Sequence, residues 1–285
     1  MSADNLNLAE PAEKCCASCG EGMAEADDIE LKQCDGCNLV RYCSDACQQN
    51  HWPEHEATCK KRAAKLRDEI LFRQPECIHL GDCPICCLPI PLDGTKSITY
   101  TCCCKTVCTG CVYSNKVHQW KETMHRTCPF CRRPSAKNEE EIKKNLMKRV
   151  QANDPVALGE HGKELYYKGD YDGAFKCLTK AAESGDVEAH FNVSVLYQEG
   201  HGVEKDEKKG MYHLEEAAIA GHPAARLHLA SYEGRKGRSD SAVKHLIIAA
   251  NLGDFDAIRR LKGATEMEKS VKMTLPRLFM RTRLP

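Results

Sequence analysis

The sequence predicts two small metal-stabilised α+β modules followed by an all-α helical-repeat solenoid. Three observations carry this expectation. Nineteen of the 20 cysteines fall before residue 132, most of them in Cys-x2-Cys or Cys-x3-Cys pairs. The remainder is nearly free of cysteine and repeats the motif Ala-Ala-x-x-Gly from Ala181, Ala217 and Ala249, at periods of 36 and 32 residues. A chain of 285 residues is also long enough for about two or three domains.

Cysteines this dense belong either to a secreted disulfide framework or to metal sites. The N-terminal stretch has no basic run followed by an apolar one, so no signal peptide is expected. No segment approaches the length of a membrane span. A reducing compartment, cytoplasmic or nuclear, is therefore expected, and thiols there are available to zinc. Lys plus Arg equals Asp plus Glu at 41 each, which argues against nucleic acid or an anionic membrane as a partner.

Residues 1–14 are polar and acidic without periodicity and read as a disordered tail. Residues 15–60 hold four ligand pairs: Cys16 and Cys19, Cys34 and Cys37, Cys43 and Cys47, His55 and Cys59. A gap of three suits ligands one helical turn apart, so the last two pairs are expected on short helices. Cys15 lacks pair spacing and reads as a spare thiol, and His51 as a surface or packing residue. The ordered pairs, Tyr42 before the fifth ligand, the Cys47-Gln48 step and Trp52 resemble the MYND zinc finger over the whole segment. The resemblance implies that Cys16, Cys19, Cys43 and Cys47 share one zinc, and that Cys34, Cys37, His55 and Cys59 share another. It also implies binding of proline-containing extended peptides, whose backbone is already restricted. No stretch resembles the SET methyltransferase domain that often accompanies such fingers.

Residues 61–77 read as a helical linker, with Leu66, Ile70 and Leu71 on one face and Pro75 as the stop. The basic residues from Lys60 to Arg67 read as a solvated helix face. Residues 78–135 then bring Cys83 and Cys86, a triplet Cys102 to Cys104, Cys108 and Cys111, and Cys128 and Cys131. Fifteen residues separate the first pair from the triplet and 16 separate the third pair from the fourth. This resembles a RING domain. The resemblance implies that the first and third pairs share one zinc, that the second and fourth share the other, and that the chain holds four zinc ions in all. Lys105 stands where a RING places histidine, so a cysteine must substitute. Cys102 with Cys103 is the first choice. Cys102 with Cys104 is an alternative, and His118 and His125 are conceivable. Cys87 reads as a bystander.

In RING ubiquitin ligases an aliphatic residue inside the first pair, an aromatic before the last and a proline inside it grip the conjugating enzyme. A basic residue after the last ligand helps hold ubiquitin. Ile85, Trp120, Pro129 and Arg132 stand at those places. The resemblance implies a ligase that orients a thioester for attack and needs no nucleophile of its own, so no catalytic residue is assigned. The alternative is a non-catalytic zinc-dependent adaptor.

Residues 136–263 are read as the helical repeats. The run 138–150 pairs Glu139 with Lys143 and Glu140 with Lys144, and aligns Ile142, Leu146 and Val150. Each Ala-Ala-x-x-Gly follows a tyrosine shortly before a glycine, at Tyr167, Tyr197 and Tyr232, and precedes a new helix start at Asp186, His222 or Asp254. Small alanines allow close helix approach, and the glycine ends the second helix of each pair. This resembles the SEL-like class of tetratricopeptide-type repeats, which implies a concave face for a protein or peptide. Cys177, His161, His190, His213, His228 and His245 read as packing or surface residues. Residues 264–285 are expected to be an irregular basic tail.

Overall fold

The computed structural model describes residues 15–20, 31–121 and 126–270, with side chains as far as residue 263. The expected disordered tail at residues 1–14, His125 and residues 271–285 lie outside them. The described residues divide into two compact units, residues 15–73 and residues 74–270.

In the first unit, β1 (Lys32–Gln33) pairs antiparallel with β2 (Arg41–Tyr42), and α1 (Asp45–Leu71) follows. Ser44 caps α1 by accepting from the Cys47 amide. The buried core is Cys16, Cys34, Cys37, Tyr42 and Cys59, so the unit has almost no core other than its thiols. Two expectations need correction. The spacing predicts short helices in the finger and a separate helix in the linker, yet α1 runs unbroken for 27 residues with Pro53 inside it. A proline removes one backbone hydrogen bond, and here the ligand positions His55 and Cys59 follow within two turns and tie the helix down. Cys43, expected on a helix, lies directly after β2.

The second unit begins with a hairpin of β3 (Ser97–Tyr100) and β4 (Lys105–Cys108), in the register Ser97 with Cys108 through Tyr100 with Lys105. Helix α2 (Thr109–Lys121) packs on the hairpin, around Cys83, Ile90, Val107 and Val112. Then come α3 (Glu139–Gln151), α4 (Pro155–Tyr167), α5 (Tyr171–Glu183), α6 (Val187–Glu199), α7 (Glu207–Ile219), α8 (Pro223–Arg235), α9 (Ser239–Asn251) and α10 (Phe255–Ser270). Helices α4 and α5, α6 and α7, and α8 and α9 form the closest pairs. Their contact is built from small residues. Ala157, Ala174, Ala181, Ala189, Ala217, Ala225 and Ala249 are wholly buried, and a Cβ on Gly162 would stand 2.7 Å from Leu178 Cγ. Side chains this short let the helices close to backbone contact, with leucines filling the layers between.

Most of the helices open on a side-chain cap of their own. Asp154, Asp186 and Asp206 accept from the amide three residues on, and His222 does the same through Nδ1, at 3.3 Å from the Ala225 amide. Helix α10 continues to Ser270, past the end of the repeat motif. This corrects the expectation of an irregular segment from residue 264, since Ala, Glu, Met and Lys there are helix formers without any repeat to belong to.

Candidate metal centres and the seam between module and repeats

Each zinc tetrad is assembled from loops the backbone shapes in the same way. At Cys16, Cys34, Cys83, Tyr100 and Cys128 a carbonyl accepts from the amide four residues later, closing a tight turn. The residue that donates, Gly20, Asn38, Cys87, Cys104 or Arg132, is at positive φ in every case. This is the backbone position glycine fills most cheaply.

Four clusters bring their ligand atoms within 4.8 Å of one another: Cys16, Cys19, Cys43 and Cys47; Cys34, Cys37, His55 and Cys59; Cys83, Cys86, Cys108 and Cys111; Cys102, Cys103, Cys128 and Cys131. The Sγ–Sγ separations include 3.7 Å for Cys19 and Cys43, 3.7 Å for Cys34 and Cys59, 3.8 Å for Cys86 and Cys108, and 3.8 Å for Cys103 and Cys128. Cys37 Sγ is 3.3 Å from His55 Nε2, and Cys131 Sγ is 3.4 Å from Cys102 Sγ. A tetrahedron with Zn–S bonds of about 2.3 Å has edges of about 3.8 Å. All these cysteines are free thiols, at separations far beyond a disulfide. The donor sets and spacings are those of structural zinc.

Thiol acidity follows from the same geometry. Burial opposes the Cys16 thiolate, but the amides of Cys19, Cys43 and Ser18 outweigh it and draw its pKa down to about 6. Cys83 is drawn down to about 6 in the same manner, against burial, by the amides at Cys86, Cys108 and Ile85. Hydrogen bonding with Cys47, Cys16 and Cys19 pushes Cys43 up to about 12, and burial with its neighbouring thiols does the same for Cys111. Each centre thus prepares one anion and resists the next, a conflict that a divalent cation removes.

The triplet divides. Cys102 and Cys103 face the fourth pair, whereas Cys104 takes the positive-φ place of its turn, φ 54°, and is buried against Arg149 and Asp154. Burial pushes its thiol up to about 11. His118 is exposed and belongs to none of the four ligand clusters found among the described residues. Of the residues expected to contact a conjugating enzyme, Ile85 is 42% exposed and Trp120, near the end of α2, is 82% exposed. Arg132 is exposed directly after the last ligand and Pro129 is half-buried.

A fifth cluster, His79, Glu188 and His222, escaped the sequence reading. Its one signal was histidine at 222, where the neighbouring repeat junctions have Asp186 and Asp254. Glu188 Oε2 lies 3.3 Å from His79 Nε2 and 3.2 Å from His222 Nε2. Hydrogen bonds from both rings hold the Glu188 carboxyl well below the usual carboxylate range, and burial lowers the His222 pKa. The group is a clasp rather than a metal site, on two grounds. The rings stack 4.2 Å apart at 15°, so no ion could lie in both imidazole planes. His222 Nδ1 already accepts the Ala225 amide, which leaves the proton on Nε2, directed at Glu188.

The clasp belongs to a longer seam. Cys104 meets the turn at Asp154, His79 meets Glu188 and His222, the His79 amide donates to the Gly221 carbonyl at 3.1 Å, and Asn251 donates to Gln74 at 3.1 Å. Residues 74–104 therefore touch all four turns that lead into α4, α6, α8 and α10.

Residues 16–59 match the family model of the MYND finger, and residues 157–186, 187–222 and 224–254 match that of the Sel1 repeat. The SET domain and MYND-type zinc finger protein 6 of Schizosaccharomyces pombe is 31% identical over 71 residues, which cover 25% of this chain and 13% of that protein. A Sel1 repeat protein from Oxalobacter formigenes, known from its crystal structure, aligns with a TM-score of 0.39 at 24% identity, covering 54% of this chain and 61% of that one. The chain thus spans less than two thirds of either relative. It is a zinc-binding protein of protein-interaction modules, with a MYND finger at residues 16–59 and three Sel1 repeats over residues 157–254.

Proposed function

We propose that the chain is a RING-type ubiquitin-protein ligase in which residues 78–135 engage the conjugating enzyme and the MYND finger and repeats recruit the protein to be modified. The observation that carries this reading is Trp120. It stands 82% exposed at the end of α2, a large ring with an apolar body and a polar edge open to a partner. Ile85 is exposed inside the first ligand pair and Arg132 directly after the last ligand, where a forked guanidinium can hold two partners at once. The chain's own contribution is orientation: it docks the conjugating enzyme and lowers the entropy still to be lost when a lysine attacks the thioester. Zinc, when bound, supplies the fold of this surface and no chemistry of its own.

A non-catalytic adaptor is the second reading, favoured by the seam, which fixes the zinc module on the array as a scaffold would need. A groove of about 670 Å³ among Met211, Leu227, His228, Tyr232 and Arg235 suits a peptide in either case. Ubiquitin transfer with a panel of conjugating enzymes separates the two. The ligase reading expects chain formation by the zinc-loaded protein, with Ile85→Ala, Trp120→Ala and Arg132→Ala each reducing it at least tenfold while zinc content is unchanged. Absence of transfer by the zinc-loaded wild type across the panel favours the adaptor.

A further inference from the structure

A second groove, of about 750 Å³, opens where the chain entering the RING-like module passes the last repeat. Its apolar part is formed by Pro75, Ile78, Pro91, Leu92, Leu252 and Phe255. Phe255, the first residue of α10, is 85% exposed, and Leu92 is also exposed. Five carboxylates line the same groove, Glu76, Asp82, Asp93, Asp254 and Asp256, against one lysine, Lys96. Lys96 pairs with Asp93 at 3.8 Å, and Arg259 with Asp256 at 2.8 Å. An occupant must therefore be apolar and cationic together.

The chain itself continues with such a segment. Residues 271–285 carry Lys272, Arg277, Arg281 and Arg283 with no acidic residue, interleaved with Leu275, Leu278, Phe279, Met280 and Leu284. The distances also agree. Helix α10 starts at the groove and its 16 residues rise about 24 Å. An extended chain returning along it from Ser270 covers that length in about eight residues at ~3.3 Å each. That brings residues 278–283, the stretch Leu-Phe-Met-Arg-Thr-Arg, back to Phe255 and its ring of carboxylates.

We propose that this groove is the docking site of the chain's own C-terminal segment, residues 271–285, with Leu278, Phe279 and Met280 on the apolar part and Arg277, Arg281 and Arg283 on the carboxylates. The segment then closes the end of the array and fills the gap between the last repeat and the zinc module. Attraction of this kind weakens with salt.

The test uses the full chain, zinc-loaded, with Phe279→p-benzoylphenylalanine as a photo-crosslinker. The expected product is an intramolecular crosslink into residues 74–96 or 251–256, reduced at least tenfold by Glu76→Lys with Asp82→Lys, both exposed positions. Crosslinks that map elsewhere, that form only between copies or to another protein, or that survive the charge reversal overturn the proposal. A second arm does not depend on those variants folding. A synthetic peptide of residues 271–285 should bind the full chain carrying Arg277→Glu, Arg281→Glu and Arg283→Glu at least tenfold more tightly than it binds the wild type, whose groove is already filled. Equal binding to both chains, or to neither, also overturns it.

Discussion

At the scale of single residues, the turn from Tyr100 to Cys104 decides which thiols of the triplet serve a metal. Cys103 occupies the ligand position of a turn that recurs at Cys16, Cys34, Cys83 and Cys128, and Cys104 occupies the next position, at positive φ. Replacement of Cys103 by Ser should therefore release one zinc per chain. Cys104→Gly should retain every zinc, and by removing the side chain from a left-handed backbone it should recover roughly 1 kcal/mol, against the loss of contact with Arg149 and Asp154. Metal content by mass spectrometry of the purified variants distinguishes the two. Pair spacing along the chain made the MYND ligands and three of the four RING-like pairs legible in the sequence. It could not separate Cys102, Cys103 and Cys104, because the choice rests on one backbone angle that adjacent cysteines do not reveal. Gly221 makes the same point from the other side. A Cβ there would lie 2.4 Å from the Cys77 carbonyl oxygen at φ 84°, whereas at Gly253, φ 90°, the nearest atom is Leu92 Cδ1 at 3.9 Å. Gly253→Ala should cost only the backbone strain, about 1–2 kcal/mol. Gly221→Ala should cost clearly more and raise amide exchange around His79, as thermal melts and hydrogen exchange would show.

Among the described helices, α8 is the one whose start depends on a histidine cap. The folded pKa of His222 is lowered by burial, so the unfolded chain binds its proton first as pH falls. Stability from this site is complete above about pH 6.5, the ordinary histidine value, and is lost as pH drops below it. His222→Asn keeps an oxygen for the Ala225 amide and removes the titration, so its unfolding midpoint should vary less between pH 7 and pH 5 than the wild type's. His222→Asp also keeps the cap, but sets a second carboxylate against Glu188 and should lower the midpoint at pH 7. Helix pairs, alanine contacts and glycine stops were all visible in the repeat motif, since periodicity records what each repeat does for its neighbours. The clasp was not, because it joins residues more than a hundred positions apart and has no period. The continuity of α1 was hidden for a related reason: its pieces read as helix one by one, but the metal ligands that hold them together across Pro53 act through tertiary structure.

For the molecule as a whole, the two kinds of module differ in what holds them together. The MYND core is thiols and one tyrosine, and it has nothing to bury once zinc leaves. The repeats bury alanine and leucine layers that no metal touches. A strong chelator should therefore abolish tertiary signals from Tyr42 and the zinc modules while far-ultraviolet dichroism keeps the contribution of α4 to α9. Acid should act on both. Burial lowers His190 and His228, and takes His213 and His245 down to about 4, so the array loses stability as pH falls from about 6.5 toward 4, where thiolates also lose zinc. The seam has one further consequence. Arrays of stacked repeats ordinarily gain or lose copies with little penalty, because each copy meets only its neighbours. Here residues 74–104 reach the first turn at Asp154 and the last at Asn251 at the same time. That stretch of chain is a ruler laid along the stack, and it fixes the number of repeats between its two ends: one inserted there would carry an end out of reach, and one deleted would leave the ruler overhanging.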